Sequence, residues 1–145
     1  MDNKMKALMA YLEETDIDEL TEETYDYYGL SVYSFGSQEY AIGTEDEVQI
    51  AVESNIKDSL FAFNADWIVS HLDVNFPIEG IKAIQEKYEN GNDSLYEIIS
   101  KLGDWDYFVK DSILADGRGH FLSSYDGNEE EIYYENIWYY IYRIN

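Results

Sequence analysis

The 145-residue sequence predicts a single α+β domain over residues 1–145. Segments rich in aromatic and β-branched residues lie near both ends of the chain, and apolar residues at helical spacing fill the middle. The expected assembly is one antiparallel sheet, made from an early hairpin and the C-terminal strands, with the central helical region packed on one face. Hydrophobic residues make up 46% of the chain and aromatic residues 17%, which is enough to form a core despite a net charge of -22.

The N-terminal segment predicts a short amphipathic helix followed by an acidic segment. The helix is expected over residues 2–13, and its apolar face consists of Met5, Leu8, Met9 and Leu12. Residues 13–26 contain many carboxylates and no lysine or arginine. We expect a helical turn within them, anchored by Ile17 and Leu20.

A hairpin and a longer helix follow. Residues 27–35 and 38–42 have the composition of strands, and Gly36–Ser37 suits the two-residue turn between them. Thr44 and Glu47 then form a capping-box pair, which predicts the start of a helix. The apolar stripe of this helix consists of Val48, Ala51, Val52 and Ile56.

The middle of the chain predicts three further helices. Pro77 suits the first turn of one of them. The inner face of that helix is expected to contain Ile78, Ile81, Ile84 and Tyr88. Asp93 or Ser94 is expected to cap the next helix, and Gly103 to end it. Asp104 is expected to cap the last one.

The C-terminal quarter predicts strands. Residues 119–125 are expected to form one strand, and Asp126–Gly127 marks a turn after it. Residues 131–144 are aromatic and β-branched throughout, which predicts a final strand or a pair of strands.

The sequence contains no motif for a metal or cofactor. Cysteine is absent, which excludes disulfides, thiolate metal sites and a thiol nucleophile. An EF-hand loop counted from Asp126 would place Glu131 where glycine is needed and Ile137 where glutamate is needed. We therefore predict no cofactor and no metal site.

Catalytic groups are equally sparse. His71 falls in a helical register and is expected to be structural. His120 is separated from Ser123 and Ser124 by about 10 Å or more if the segment is a strand. The glycines around Arg118 match no phosphate-binding fingerprint. We predict that the protein is not an enzyme. Catalysis by Arg118 and His120 is one alternative.

The charge balance restricts the class of partner. A chain with 31 Asp and Glu against 9 Lys and Arg is repelled by nucleic-acid phosphates and by anionic lipids. Direct binding to nucleic acid or membrane is therefore not expected, and a basic protein surface is. The N-terminus lacks the apolar region of a secretory signal, so a cytoplasmic location is expected.

Acidic side chains are the candidate partner-binding residues. The set comprises Glu13, Glu14, Asp16, Asp18, Glu19, Glu22, Glu23, Glu45, Asp46, Glu129, Glu130 and Glu131. On this hypothesis their carboxylates replace nucleic-acid phosphates in a basic groove of the partner. Two alternatives stay open: acidity that serves only solubility or salt tolerance, and a regulatory or scaffolding module that binds a partner, or a second copy, through the C-terminal aromatic strand.

Two segments resemble those of small acidic proteins encoded by phages and plasmids. They are Asp116-GRGHFLSSYDG-Asn128 and Asp58-SLFAFNADWIVSHL-Asp73. In size and charge the chain is also similar to DNA-mimicking anti-defence proteins, including antirestriction and anti-CRISPR inhibitors. The resemblance implies an inhibitor whose partner is a basic nucleic-acid-binding protein of a host defence system. It transfers no functional residue.

Overall fold

The computed structural model describes residues 2–13, 19–87 and 89–145. They form α-helices and a five-stranded antiparallel sheet, which confirms the α+β class and a sheet built from early and C-terminal strands. The chain groups into two compact units, which we call the sheet unit (Met1–Val52 and Asp116–Asn145) and the helical unit (Glu53–Ala115). Their grouping into one domain over 1–145 stays a prediction.

The sheet unit contains all five strands. Its elements are α1 (Asn3–Leu12), β1 (Leu20–Tyr27), β2 (Leu30–Phe35), β3 (Gln38–Thr44), the start of α2 (Glu45–Asp58), α7 (Arg118–Leu122), β4 (Glu130–Tyr134) and β5 (Ile137–Arg143). The helical unit contains the rest of α2, a 3-10 helix (Leu60–Ala62), α3 (Ala65–Ser70), α4 (Ile78–Gln85), α5 (Gly91–Leu102) and most of α6 (Trp105–Asp116). The strand order is β1-β2-β3-β5-β4, so β1 and β4 are the edge strands.

Helix α1 packs on one face of the sheet, which confirms the predicted N-terminal helix. Asp2 caps it by accepting a 2.8 Å hydrogen bond from the Met5 amide, and the Tyr33 hydroxyl donates to the same carboxylate at 3.0 Å. Burial of apolar area fixes the helix in place. The buried cluster consists of Ala7, Leu8, Leu20, Tyr33, Tyr40, Ile42, Tyr139 and Ile141.

Two-residue turns join β1 to β2, β2 to β3 and β4 to β5. The predicted turn at Gly36–Ser37 is confirmed between β2 and β3. Residues 131–144 form a pair of strands, because Glu135 and Asn136 both adopt positive φ (51° and 67°) and reverse the chain between β4 and β5. Positive φ at both central residues is the geometry that matches the twist of a hairpin.

The expectation for the acidic N-terminal segment was wrong from residue 20 onward. Residues 20–27 form strand β1, whereas Ile17 lies outside the described residues. The threonines and tyrosines of this segment favour a strand, and an edge strand tolerates charged residues on both of its faces. A further turn at Tyr28–Gly29 means that the next strand begins at Leu30 and not at residue 27.

The strand expected at residues 119–125 was also wrong, because Arg118–Leu122 is the helix α7. The segment contains no β-branched residue, and the Ser123 amide donates to the Gly119 carbonyl at 2.8 Å. Leu122 is fully buried. The helical turn provides this backbone hydrogen bond and at the same time buries the Leu122 side chain. The turn at Asp126–Gly127 is confirmed, with Gly127 at φ 74°.

The capping box of α2 is present as predicted. Glu47 accepts hydrogen bonds from the Thr44 amide at 2.9 Å and from the Thr44 hydroxyl at 3.0 Å. Burial alone would raise the pKa of Glu47, but these bonds and the one from Lys4 outweigh it and lower the pKa. The predicted apolar stripe, Val48, Ala51, Val52 and Ile56, is fully buried.

The helical unit confirms most of the predicted boundaries. Helix α4 begins directly after Pro77, Gly103 ends α5, and Asp104 caps α6 by accepting from the Tyr107 amide at 3.1 Å. Tyr88 lies outside the described residues. Among those described, no helix is both long enough and apolar enough to cross a membrane.

The cap predicted for α5 at Asp93 or Ser94 was wrong. The helix begins two residues earlier than Asp93, after Asn90. Asn92 fixes this start by accepting from the Phe61 amide at 2.8 Å and donating to the Asp58 carbonyl at 2.6 Å.

Candidate functional site

The carboxylates lie at the surface of both units. Over residues 2–13, 19–87 and 89–145, no Asp or Glu is buried. The buried polar residues there are Asn55, Ser112 and Ser123. Because ordered helices and strands carry most of these acids, the negative charge is presented in fixed positions.

The first predicted group of acids is only partly described. Glu14, Asp16 and Asp18 lie outside the described residues. Glu13 ends α1 in a left-handed conformation (φ 57°). Glu19 directly precedes β1, on which the remaining members of this group lie.

Strand β1 places Glu22 and Glu23 side by side on an edge of the sheet, with Asp26 following. We call these three residues the β1 edge. Glu22 lies opposite Tyr33, and Glu23 accepts a 2.6 Å hydrogen bond from the Ser34 hydroxyl. Successive strand residues point to opposite faces, so the two glutamates do not share one face. The ladder with β2 also shifts register between Glu22 and Asp26.

Arg118 forms ion pairs with two members of the second predicted group, Glu45 and Glu129. Its Nη1 lies 2.9 Å from both carboxylate oxygens of Glu45, and its Nε lies 2.8 Å from Glu129 Oε1. The guanidinium also lies 4.7 Å from the ring centroid of Tyr140, and only 12% of the side chain is exposed. Burial alone would lower the pKa of Arg118, but the two carboxylates outweigh it and raise the pKa.

Glu129 has a structural role in the sheet unit. It accepts from the Tyr142 hydroxyl as well as from Arg118. Burial of Tyr142, followed by this bond, raises the pKa of the phenol. Glu129 therefore anchors the segment that leads into β4. Asp46 is exposed in the first turn of α2, and Glu130 and Glu131 are exposed on β4 itself.

The C-terminal aromatic residues divide between the core and the surface. Tyr139 and Tyr142 are buried, whereas Tyr133 is 54% exposed and Trp138 is 48% exposed. Tyr133 on β4 lies opposite Trp138 on β5, and their ring centroids are 5.1 Å apart. We call Glu131, Tyr133 and Trp138 the β4 edge. The composition of the strand suggested an interface, but the register was needed to show which aromatic residues are exposed.

His71 is enclosed in the helical unit. Its Nδ1 lies 2.7 Å from the Trp67 carbonyl oxygen, and its Nε2 lies 2.7 Å from Asp111 Oδ2. The side chain is 5% exposed, and both ring nitrogens face acceptors of the protein. This arrangement joins α3 to α6 and leaves no ring nitrogen for a substrate.

The groups around His120 are engaged elsewhere. The distance argument from a strand was wrong, because α7 is helical. However, the Ser123 hydroxyl lies 2.7 Å from the Arg143 carbonyl, and the Ser124 hydroxyl donates to the Ile144 carbonyl at 2.8 Å. The Ser124 bond attaches the loop after α7 to the end of β5.

The turn at Asp126 uses its own carboxylate. The Asp126 carboxylate accepts hydrogen bonds from the Asn128 amide at 3.0 Å and from the Ser123 hydroxyl at 2.8 Å. Both bonds lower the pKa of Asp126, and the bond from Asn128 has the larger effect. Within the described ranges no group of three or more His, Asp or Glu side chains is placed to hold a metal ion.

Three comparisons with known proteins place the chain in no known group. No protein family, no curated protein and no solved structure matches it.

Proposed function

We propose that this protein is a non-enzymatic acidic inhibitor of the antirestriction or anti-CRISPR type, which occupies the basic nucleic-acid-binding groove of a host defence protein. The observation that carries the proposal is the surface position of every described carboxylate on an ordered fold. A scaffold of this kind holds anionic groups where a basic groove would otherwise contact phosphates.

The protein cannot neutralise its own charge. Even if each of its 9 Lys and Arg paired with one carboxylate, the net charge of -22 would remain. Such an excess destabilises a compact fold through self-repulsion. A partner rich in Lys and Arg relieves that repulsion on binding.

The geometry favours some of the predicted acids over others. Glu45 and Glu129 already contact Arg118, so they are poor replacements for free phosphates. Within residues 2–13, 19–87 and 89–145, no lysine or arginine forms an ion pair with the β1 edge, and the contact described for Glu23 is with the neutral Ser34 hydroxyl. We therefore assign partner binding first to Glu22, Glu23 and Asp26.

The test is competition with nucleic acid. The immobilised protein is incubated with bacterial lysate at low salt, and the column is then eluted with double-stranded DNA or with an uncharged polymer. We expect DNA to release the retained protein and the polymer to leave it bound. Retention should also fall steeply as salt rises, because screening weakens contacts between exposed charges.

A matched pair of variants separates the assigned surface from total charge. The β1-edge triple variant is Glu22→Gln, Glu23→Gln, Asp26→Asn, and the control is Glu79→Gln, Glu86→Gln, Asp106→Asn in the helical unit. Both lose three carboxylates that lie outside the core. We expect the first to lose roughly tenfold in retention and the control less than twofold. Equal losses, or a captured protein that DNA does not displace, would refute nucleic-acid mimicry at this surface.

A further inference from the structure

We propose that the β4 edge binds a basic extended segment of a partner protein, which adds a sixth strand to the sheet. This surface lies on the opposite side of the sheet from the β1 edge. A result that contradicts one of the two proposals therefore leaves the other intact.

The main chain of β4 is open on one side. β4 is last in the strand order, and in the part of the chain that the structure describes no strand lies beyond it. Its ladder with β5 runs without a register shift from Glu130–Ile141 to Tyr134–Ile137. Regular edges without a neighbouring strand are the ones that accept another strand.

The register identifies which main-chain groups are available. Tyr134 and Ile137 flank the two-residue turn, so they form the hydrogen-bonded pair that closes the hairpin. Such pairs alternate with non-hydrogen-bonded ones along an antiparallel ladder. Glu131 and Tyr133 therefore direct their N–H and C=O groups away from β5, toward an incoming strand.

The same two residues supply a recognition surface. Side chains two apart in a strand lie on one face, so those of Glu131 and Tyr133 share a face with Trp138, which pairs with Tyr133. More than half of the Tyr133 side chain and nearly half of that of Trp138 are exposed. An added strand would therefore contact main-chain groups, an aromatic pair and a carboxylate together.

Charge identifies the occupant. Glu130, Glu131 and Glu135 are all exposed along this hairpin. Of the arginines in the sheet unit, Arg118 is bound to Glu45 and Glu129, and Arg143 stacks 3.5 Å from the ring centroid of Tyr125. An incoming strand is thus favoured if it brings lysine or arginine, which also stack well on exposed aromatic rings. A second copy of this chain is disfavoured because it brings the same glutamates.

The test uses the intact protein and a designed probe. The probe is an acetylated, amidated octapeptide in which Lys and Val alternate. Two further versions carry N-methyl groups on alternate amides, one on each side of the extended peptide. Binding is followed by tryptophan fluorescence and by amide hydrogen exchange.

Strand addition and simple charge attraction predict different results. If the peptide adds to β4, one N-methylated version loses at least tenfold in affinity and the other keeps it, because only one side of the peptide faces the edge. The amides of Glu131 and Tyr133 also become protected from exchange. Equal binding by both N-methylated versions, or no binding of the parent peptide, would overturn the proposal.

Variants localise the contact. Tyr133→Ala should weaken binding about tenfold, whereas Tyr25→Ala, which removes a comparably exposed tyrosine from β1, should leave it unchanged. Glu131→Gln removes only a charge, and Glu131→Pro also removes the outward N–H, so the second should lose more. Loss of binding in Tyr25→Ala equal to that in Tyr133→Ala would contradict this assignment. The N-methyl peptides keep the proposal testable if Glu131→Pro does not fold.

Discussion

The two edges of the sheet are built differently. β1 combines a register shift with Glu22, Glu23 and Asp26, and both features discourage another strand from pairing with it. β4 has a regular ladder and an exposed aromatic pair, Tyr133 and Trp138, and its exposed glutamates oppose unwanted pairing. One edge therefore combines a register shift with charge, whereas the other combines a regular ladder with charge.

This difference separates two uses of acidity. On β1 the carboxylates form an anionic surface without an accessible regular backbone, which suits recognition of a basic groove. On β4 they flank main-chain groups and aromatic rings, which suits recognition of a basic strand. If the comparison is right, substitutions at one edge leave the other edge unchanged.

The largest expected effect is that of Gly119→Ala in α7, because residue 119 lies against the backbone of the segment that leads into β4. A Cβ at residue 119 would lie 2.5 Å from the Gly127 carbonyl oxygen and 2.8 Å from the Glu129 amide nitrogen. These are backbone atoms, so the chain itself must move, and we expect a loss of about 3 kcal/mol in the free energy of unfolding. Chemical denaturation measures it.

Gly80→Ala is the matched control for that substitution. The three atoms nearest to its Cβ would belong to the Phe76 ring, the closest at 3.1 Å, and alanine is the better helix former inside α4. We expect a change within about 1 kcal/mol of wild type. If Gly119→Ala were as mild, the close approach of α7 to the segment before β4 would not matter for stability.

Arg118→Ala should have the next largest effect. It leaves Glu129 and Glu45 without their cation and removes the stacking on Tyr140. Because the glutamates are partly exposed, we expect about 2 kcal/mol, less than for a fully buried pair. Lys101→Ala, which breaks the exposed pair with Glu97, should cost about 0.3 kcal/mol in the same denaturation experiment.

Neutralising each edge tests the comparison directly. The triple variant Glu130→Gln, Glu131→Gln, Glu135→Gln should self-associate at least tenfold more tightly than wild type, equivalent to about 1.4 kcal/mol, because it removes the charges that oppose pairing at β4. The triple variant Glu22→Gln, Glu23→Gln, Asp26→Asn has the same net charge but keeps the register shift, and it should stay unchanged. Sedimentation velocity distinguishes them. Equal association of both variants would mean that total charge, and not edge geometry, controls pairing.

Local sequence signals predicted much of this fold. The helical spacing in α1, the Gly36–Ser37 turn and the Thr44–Glu47 capping box depend on neighbouring residues, and all three are present. The errors occurred where local signals conflict or are overridden. In β1, acidic residues obscured the strand preference of the threonines and tyrosines, and in α7 the bond from the Ser123 amide to the Gly119 carbonyl and the burial of Leu122 favour a helix.

The candidate site was less predictable because it depends on long-range contacts. Arg118 and Glu45 are 73 residues apart in sequence, so nothing local shows that Glu45 is already paired. Composition marked the C-terminal strands as aromatic, but only the pairing register shows that Tyr133 and Trp138 are exposed on a free edge. Acidic residues are easy to count from a sequence, whereas their partners are not.

The smallest expected effect concerns the hydroxyl of Tyr25 on β1. It donates a hydrogen bond to Glu39 on β3, across the intervening strand β2. This bond, more than the slight burial of the ring, raises the pKa of Tyr25 to about 12. We expect Glu39→Ala to return the pKa toward the ordinary value near 10, measured by NMR titration of tyrosine ring carbons.

The sign of the linked stability effect follows from the direction of this shift. A phenol whose pKa is higher in the folded state stabilises the fold below its unfolded pKa, and the contribution is lost as pH rises from 10 toward 12. Wild type should therefore lose more stability than Glu39→Ala across that window. Amide exchange should increase at β1 before it increases at β4, because the bond holds only the first edge. If both edges loosened together, they would be one cooperative unit, and assigning them separate functions would lose its structural basis.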